Sequence, residues 1–471
     1  MTTTYFSPEE ALRIADDYLA ANWGAMVEDI DALVRIPSFR EADKAAPGAP
    51  WGPGPRAGLT AGLELAQRMG FSATDLDGYL GYADLPGESA TQVGIIGHMD
   101  VVPAGPGWTF PPYQVSRKDG YLVGRGVVDD KGPSLMALHA VNALRQQGVL
   151  PYTVRFIFGA GEECGMDDVP YYQAVQPDPA FLFTPDADFP VCNGEKGHYE
   201  GTFVSAPVAD GCIAEFEGGL AGNAVAGQAQ CVVRGEVGDF PAADGITVSQ
   251  EAPGLVRLFA QGRSAHASTP ARGVNAIGMM VDYLLANAPL AAGERQFLEF
   301  EQQLMASTDG STLGVASWGE GLKDLTHVGG VITLANGVLT QSIDIRYPET
   351  VTGEWLTEQL VAAAAPFDVQ LQDAHFQVPF LVDAQSPEIQ ALLGAYVQVT
   401  GREAEPFTMG GATYARVFSN AASFGPLFPF GEHPAWVGRM HGPDEGVSEE
   451  TLREAFRIYV VALANLMRLE L

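Results

Sequence analysis

Apolar residues along this chain come in two textures. In the first, short unbroken runs at 93–96, 152–158 and 181–183, rich in β-branched and aromatic side chains, each end in Gly, Pro or acidic residues. Such runs, lacking alternation, predict strands buried on both faces. Between the first two, residues 133–147 carry Leu135, Leu138, Val141 and Leu144 near helical spacing, with Pro133 at the start and Gly148 beyond the end. A strand, a helix and a strand in that order predict a parallel sheet with a crossover. Near the beginning, Ser7-Pro8-Glu9-Glu10 predicts a capping box that opens a helix.

Past Lys196-Gly197 the second texture begins. β-Rich stretches at 202–204, 228–233, 255–260 and 341–344 interleave with helices predicted at 274–286 and 353–364, the pattern of an α+β insertion. Helical segments return at 388–399 and 449–467, divided by a Gly- and Pro-rich stretch at 410–446. A long irregular segment inside a compact domain is usually functional. The fold class expected is therefore α/β. A discontinuous domain, 1–197 and 381–471, would hold a mixed, largely parallel sheet flanked by helices, and an α+β domain, 198–380, would be inserted into it.

Charge narrows the function. Of 471 residues, 26 are Lys or Arg and 58 are Asp or Glu, a net charge of −32. That charge repels phosphate backbones and anionic membrane surfaces, so neither nucleic acid nor membrane is an expected partner. The first twenty residues lack the basic and apolar regions of a secretion signal, and no apolar run is long enough to span a bilayer, so a cytoplasmic protein is expected. Cys164, Cys192, Cys212 and Cys231 are scattered without a Cys-x-x-Cys pair, which predicts reduced, mostly buried thiols.

The candidate chemistry lies directly behind the predicted strands. Gly97-His98-Met99-Asp100, Asp129-Asp130-Lys131-Gly132 and Gly161-Glu162-Glu163-Cys164 each place carboxylates or a histidine behind a strand or its turn, the second of them in the loop before the crossover helix, and Asp186 follows the next strand after Thr184-Pro185. Ligands from separate strands of an open α/β sheet converge at the strands' carboxyl ends. His98 offers an imidazole nitrogen that Asp100 can orient. One of Asp129 and Asp130 can bridge two cations while its neighbour turns away. Glu162 and Glu163 divide naturally into one ligand and one general base. His441 supplies a late histidine from the irregular segment. So many carboxylates behind buried strands would repel one another unless cations neutralised them, and the pattern predicts a metal-dependent hydrolase site.

The segments His98-Met99-Asp100-Val101-Val102-Pro103, Gly124-Arg125-Gly126 through Asp129-Asp130-Lys131-Gly132-Pro133, Gly161-Glu162-Glu163, Thr184-Pro185-Asp186 and Met440-His441 closely resemble the dinuclear zinc peptidase family of aminoacylases, carboxypeptidases and dipeptidases. The resemblance spans nearly the whole chain. It implies His98, Asp129, Glu163, Asp186 and His441 as ligands, with Asp129 bridging, His98 and Asp186 on one ion, and Glu163 and His441 on the other. It further implies Glu162 as the base, Asp100 as the residue that orients His98, and a cis peptide between Asp129 and Asp130. The two ions would be zinc, with manganese or cobalt suiting the same mixed donor set.

The long insert resembles the lid of monomeric bacterial dipeptidases of the PepV type, whereas dimerising members of the family carry a markedly shorter one. Pro185-Asp186-Ala187-Asp188-Phe189-Pro190, Gly194-Glu195-Lys196-Gly197, Ser264-Ala265-His266-Ala267-Ser268, Asp344-Ile345-Arg346-Tyr347-Pro348 and Gly410-Gly411-Ala412-Thr413-Tyr414-Ala415-Arg416 are similar to that group. The similarity implies His266 as the oxyanion donor, and Asn223, Arg346, Gly411 and Thr413 as holders of the substrate's carboxylate. Ala224-Val225-Ala226, where those dipeptidases tend to have a proline, and Ala412, where they tend to have glycine, depart from the pattern and bear on substrate range. His139, His198, His327, His375 and His433 read as structural. The expected function is a monomeric metal-dependent dipeptidase with a short peptide substrate. The alternatives are an N-acyl amino acid amidohydrolase, such as a deacetylase or desuccinylase, and a non-catalytic metal or amino-acid binding protein on the same scaffold.

Overall fold

The computed structural model describes residues 5–430 and 433–471; positions 1–4 of the N-terminal stretch and 431–432 of the Gly- and Pro-rich segment lie outside the described residues. The chain divides into two compact units, one of Met1–Asn193, Val382–Phe407 and Ala412–Leu471, the other of Gly194–Leu381 with Thr408–Gly411.

In the first unit, the strands Ser89–His98, Tyr152–Gly159, Phe181–Thr184 and Ala421–Ser423 run parallel, in the spatial order 152–159, 89–98, 181–184, 421–423. Antiparallel strands Leu80–Leu85 and Ser72–Leu76 extend the sheet beside Tyr152–Gly159. Ser72–Leu76 was not legible as an apolar run, because it is an edge strand with no buried residue. Phe156, Phe158, Phe181, Leu182 and Phe183 are all buried, and fully burying each such side chain is worth about 1.5–3 kcal/mol. The strand at 89–98 begins four residues before its apolar run, since pairing of Ser89 and Gln92 with Tyr152 and Thr153 extends it.

Helix Lys131–Arg145 connects the strands at 89–98 and 152–159 and is buried almost all round. It bundles with Pro8–Val34 and Glu449–Leu466, while Pro53–Arg68 lies against the strands at 72–76, 80–85 and 152–159. The first helix opens with the capping box: Glu10 N–H donates to Ser7 Oγ at 3.2 Å, and Ser7 N–H to the Glu10 carboxylate at 2.8 Å. At its other end, the buried Lys131 ammonium donates to the carbonyls of Leu33, in the last turn, and Ile36, just beyond it, at 2.9 and 2.8 Å, filling acceptors that a helix end leaves open.

The second unit is an eight-stranded antiparallel sheet in the order Ile246–Ala252, Leu255–Gln261, Gln228–Arg234, Ile213–Gly218, Thr326–Ala335, Val338–Tyr347, Gly197–Ser205, Val369–Gln377. Its strands alternate: in Gly197–Ser205 every second residue is buried, as expected where one face packs and the other does not. Tyr199, Phe203, Ile343, Ile345 and Tyr347 share one core with residues of helices Ala276–Asn287, Ala292–Met305 and Gly353–Ala364. Among the described residues, no helix is long and apolar enough to cross a membrane.

Candidate active site

His98 ends its strand opposite Gly159, the last residue of the neighbouring strand. On the other side Ile95 pairs with Phe183, so the same register carries Asp186, three residues on, to the level of His98. The turn after Gly159 delivers Glu162 and Glu163, and the loop before helix Lys131–Arg145 delivers Asp129. Gly97 is required here: a Cβ on it would lie 1.7 Å from Ser134 Oγ and 2.8 Å from Asp130 Oδ2.

Two clusters result, sharing one residue. His98 Nε2 lies 2.9 Å from Asp129 Oδ1 and 3.7 Å from Asp186 Oδ2. His441 Nε2 lies 2.8 Å from Asp129 Oδ2 and 3.2 Å from Glu163 Oε1. Each cluster brings its ligand-type atoms within 4.8 Å of one another, and Asp129 turns one carboxylate oxygen to each. The peptide between Asp129 and Asp130 is cis, and His441 has a left-handed φ of 64°. Asp130 faces away, accepting from the His98 N–H at 3.2 Å and the Ser134 hydroxyl at 2.7 Å, so it gives helix Lys131–Arg145 no side-chain cap.

Asp100 sits beside His98 in two ways. Its backbone carbonyl is 2.9 Å from His98 Nδ1, and its carboxylate Oδ1 is 3.5 Å from the same nitrogen. The carbonyl makes the shorter contact. The carboxylate also accepts from the Glu162 and Glu163 N–H groups at 3.3 and 3.0 Å, which ties the Glu-Glu turn to the His98 segment.

The electrostatics are those of a site built for cations. Burial, reinforced by the charges of Glu163, Asp129 and Asp100, holds the Glu162 carboxyl well above its usual range. Burial and the Asp129 charge do the same to Asp186, and burial raises Glu163. Asp129 alone is lowered: the hydrogen bonds and charges of His441 and His98 overcome its burial. Carboxylates outnumber the imidazoles in this pocket, and a pair of imidazole nitrogens with three carboxylate groups is a donor set that divalent zinc, manganese or cobalt accepts. The residues present therefore fit two divalent cations. Cys164 does not join them; burial pushes its thiol up to about 12 and its Sγ turns to the Gly161 carbonyl at 3.6 Å.

Two supports were not singled out in the sequence. The fully buried Arg125 and Glu445 pair with each other. Glu445 Oε1 accepts from the Gly126, Val128 and Asp129 N–H groups at 2.9, 3.1 and 3.4 Å, while Arg125 Nη2 donates to the His441 carbonyl at 3.1 Å. This ion pair thus joins the Asp129 loop to the His441 segment. Asp168 Oδ2 accepts from the Ala160 and Gly161 N–H groups at 3.0 and 3.2 Å and from the Tyr414 hydroxyl, holding the turn that presents Glu162. Arg125 and Tyr414 stand inside segments that carry the family resemblance, but nothing in the sequence tied them to Glu445 and Asp168.

In the second unit, His266, Asn223, Arg346 and Gly411 fall as follows. His266 bridges Ala224, and the Ala267 N–H donates to the Asn223 carbonyl at 2.9 Å, so these two segments lie together. Ser268 N–H reaches His266 Nδ1 at 3.2 Å and Ser268 Oγ lies 2.8 Å from it. An amide N–H only donates, so Nδ1 is the acceptor and the ring proton sits on Nε2. Burial, then the Arg346 charge, lowers the His266 pKa, which keeps the ring neutral. Arg346 donates from Nε and Nη2 to the two Asp344 oxygens at 2.8 and 2.9 Å, and from Nη1 to the Gly410 carbonyl, next to Gly411, at 3.1 Å. Thr413 belongs to the first unit, where its Oγ1 lies 2.8 Å from Ser423 Oγ and accepts from the Ala415 N–H at 3.1 Å.

An α/β sheet whose strand ends gather imidazoles and carboxylates into two clusters sharing one aspartate defines a metallohydrolase architecture. The chain belongs to the peptidase family M20/M25/M40, which matches residues 94–465. It is 32% identical over 457 residues to a putative dipeptidase of Staphylococcus epidermidis, covering 93% of this chain and 96% of the relative. It is 29% identical over 463 residues to the putative dipeptidase YtjP of Bacillus subtilis, covering 94% and 97%. Among solved structures, the di-peptidase Dug1p of Saccharomyces cerevisiae matches with a TM-score of 0.59 at 13% identity, over 97% of this chain and 99% of that one. The aminoacylhistidine dipeptidase of Vibrio alginolyticus matches with a TM-score of 0.57 at 15% identity, over 93% and 96%. At those identities, the structural matches speak to the fold.

Proposed function

We propose that this peptidase is a dipeptidase that acts with two divalent cations, zinc in the first instance, on dipeptides with free amino and carboxyl ends. The observation that carries the reading is Asp129, whose two oxygens face the two histidine clusters, with Glu162 near enough to feel the charges of His98, Glu163 and Asp129. The names of the relatives support the substrate class. His98, Asp129 and Asp186 would hold one cation, and Asp129, Glu163 and His441 the other. Once bound, the cations supply Lewis acidity that polarises a carbonyl and lowers the pKa of water.

The chain's own residues do the rest. Glu162 takes a proton from the attacking water at a carboxylate oxygen and returns it to the leaving amine. His266 donates from Nε2 to the developing oxyanion. Arg346 takes the substrate's terminal carboxylate on the N–H groups that Asp344 and Gly410 do not use, with Asn223, Gly411 and Thr413 completing that end. The second unit, in this reading, is the lid. The free cysteines accord with a cytoplasmic, reducing setting, and the long insert with a monomer.

The test is hydrolysis of a dipeptide panel, with N-acetyl amino acids alongside, by metal-stripped protein reconstituted with zinc, manganese or cobalt. Metal-dependent cleavage of dipeptides that Glu162→Gln abolishes is the expected result. Preferential cleavage of N-acetyl amino acids would move the protein to the amidohydrolases, and metal binding without cleavage of either would make it a binding protein.

A further inference from the structure

Outside the Asp129 clusters, the described residues hold one other group of His and carboxylate side chains close enough to bind a cation, His198, Glu200 and Asp344. It lies on the second unit's sheet. His198 is opposite Arg346, and Glu200 is opposite Asp344, on paired antiparallel strands. His375, on the next strand, is opposite Glu200. Residues two apart on a strand share a face, so His198 and Glu200 meet Asp344 and Arg346 on the face away from the helices.

The contacts there are those of an ordered charge array. His198 Nε2 lies 2.8 Å from Asp344 Oδ2 and 3.1 Å from Glu200 Oε1. Both oxygens of Asp344 are already held by the Arg346 guanidinium. The Asp344 and Arg346 side chains are only 1% and 6% exposed. A divalent cation on Asp344 Oδ2 would face the Arg346 Nη2 that donates to that same oxygen, a like-charge contact in a buried setting. A protonated His198 meets no such conflict: with Arg346 it balances Asp344 and Glu200 charge for charge. His375 Nε2, 2.8 Å from Glu200 Oε2, borders the array from the solvent side. Burial opposes protonation of His198, but its hydrogen bonds to Asp344 and Glu200 raise its pKa above the ordinary histidine value despite the nearby Arg346.

We propose that His198 is a positioning residue for Arg346: donating from Nε2 to Asp344, it fixes the carboxylate that grips one edge of the guanidinium, and so aims the remaining N–H groups at a substrate carboxylate. The inference rests on the reading of Arg346 as the carboxylate holder. A planar fork binds a carboxylate well only when its own orientation is set. Asp344 sets the orientation of the fork, and His198 sets that of Asp344.

The experiment is steady-state kinetics on an Ala-Ala dipeptide with H198A, H198Q, R346A and the H198A/R346A double variant of the zinc-loaded full chain, together with the zinc content of each. H198A is expected to raise KM about tenfold with kcat nearly unchanged, and H198Q, which keeps a donor, to recover most of the loss. The double variant should be no worse than R346A alone, since His198 acts through Arg346. Additive losses, an unchanged KM in H198A where R346A raises it, or a third equivalent of zinc that H198A removes would overturn the positioning role. An unchanged KM in R346A would instead bring down the reading of Arg346 itself, and this inference with it.

Discussion

The two units of this chain place chemistry on a sheet in opposite ways. In the first, consecutive residues such as Phe181, Leu182 and Phe183 are all without exposure. A parallel strand covered on both faces has no polar face to offer, so its reactive groups gather past the strand's carboxyl end, contributed by segments far apart in sequence. In the second, Ile343, Ile345 and Tyr347 join the core while Asp344 and Arg346 between them turn the other way. There the functional array is written directly into the alternation of neighbouring strands. The first arrangement yields a convergent, charge-dense pocket that calls for cations; the second yields a neutralised network that does not.

Substitutions can break this contrast. The largest effect is expected at Glu162: Glu162→Gln should lower kcat by about 10²–10⁴-fold, the range of general acid–base catalysis, with KM and the bound metal little changed. Loss of metal along with activity would make Glu162 a ligand and redraw the site. Next, Phe183→Ala should cost about 3–5 kcal/mol in urea unfolding and its neighbour Leu182→Ala about 2–5 kcal/mol, because both faces of that strand are packed. In the second unit, Val256→Ala should be felt while the adjacent Arg257→Ser, which loses only part-exposed pairs with Glu251 and Gln230, should cost no more than about 1 kcal/mol; equal losses at both would remove the contrast. His266→Ala should reduce kcat about 10²–10³-fold, as loss of an oxyanion donor does, without altering metal content.

A smaller effect separates the two charge arrays by pH. In metal-stripped protein, Glu162, Glu163 and Asp186 have folded pKa values raised above their unfolded ones. Their contribution to stability is therefore complete below the ordinary carboxylate range and is lost as pH rises through the raised values. Asp168, moved from 3.8 to about 6 by burial, adds a decline across that interval. Melting curves should show a Tm that falls with rising pH in this range and that zinc restores, by about 2.7 kcal/mol at a hundredfold excess over Kd. A Tm indifferent to both zinc and pH would mean the carboxylates are already compensated within the chain.

Much of this was present in the order of residues. The apolar runs at 93–96, 152–158 and 181–183 and the helix after Asp130 mark buried strands and a crossover, because a strand covered on both faces needs unbroken apolar length. The positions of His98, Glu162, Glu163 and Asp186 directly behind those strands, and of Asp129 just before the crossover helix, pointed to the sheet's carboxyl edge. The resemblance supplied what spacing could not, including the cis peptide that the structure contains. What only the tertiary structure decided are the contacts that join distant segments: Glu445 with Arg125 and the Asp129 loop, Asp168 with Tyr414, and His198 with Asp344 and Arg346. Local sequence carries backbone preference and the pattern of burial, both set by near neighbours. Whether a carboxylate 316 residues from an amide accepts its hydrogen bond depends on register and packing of the whole sheet, and no local pattern encodes that.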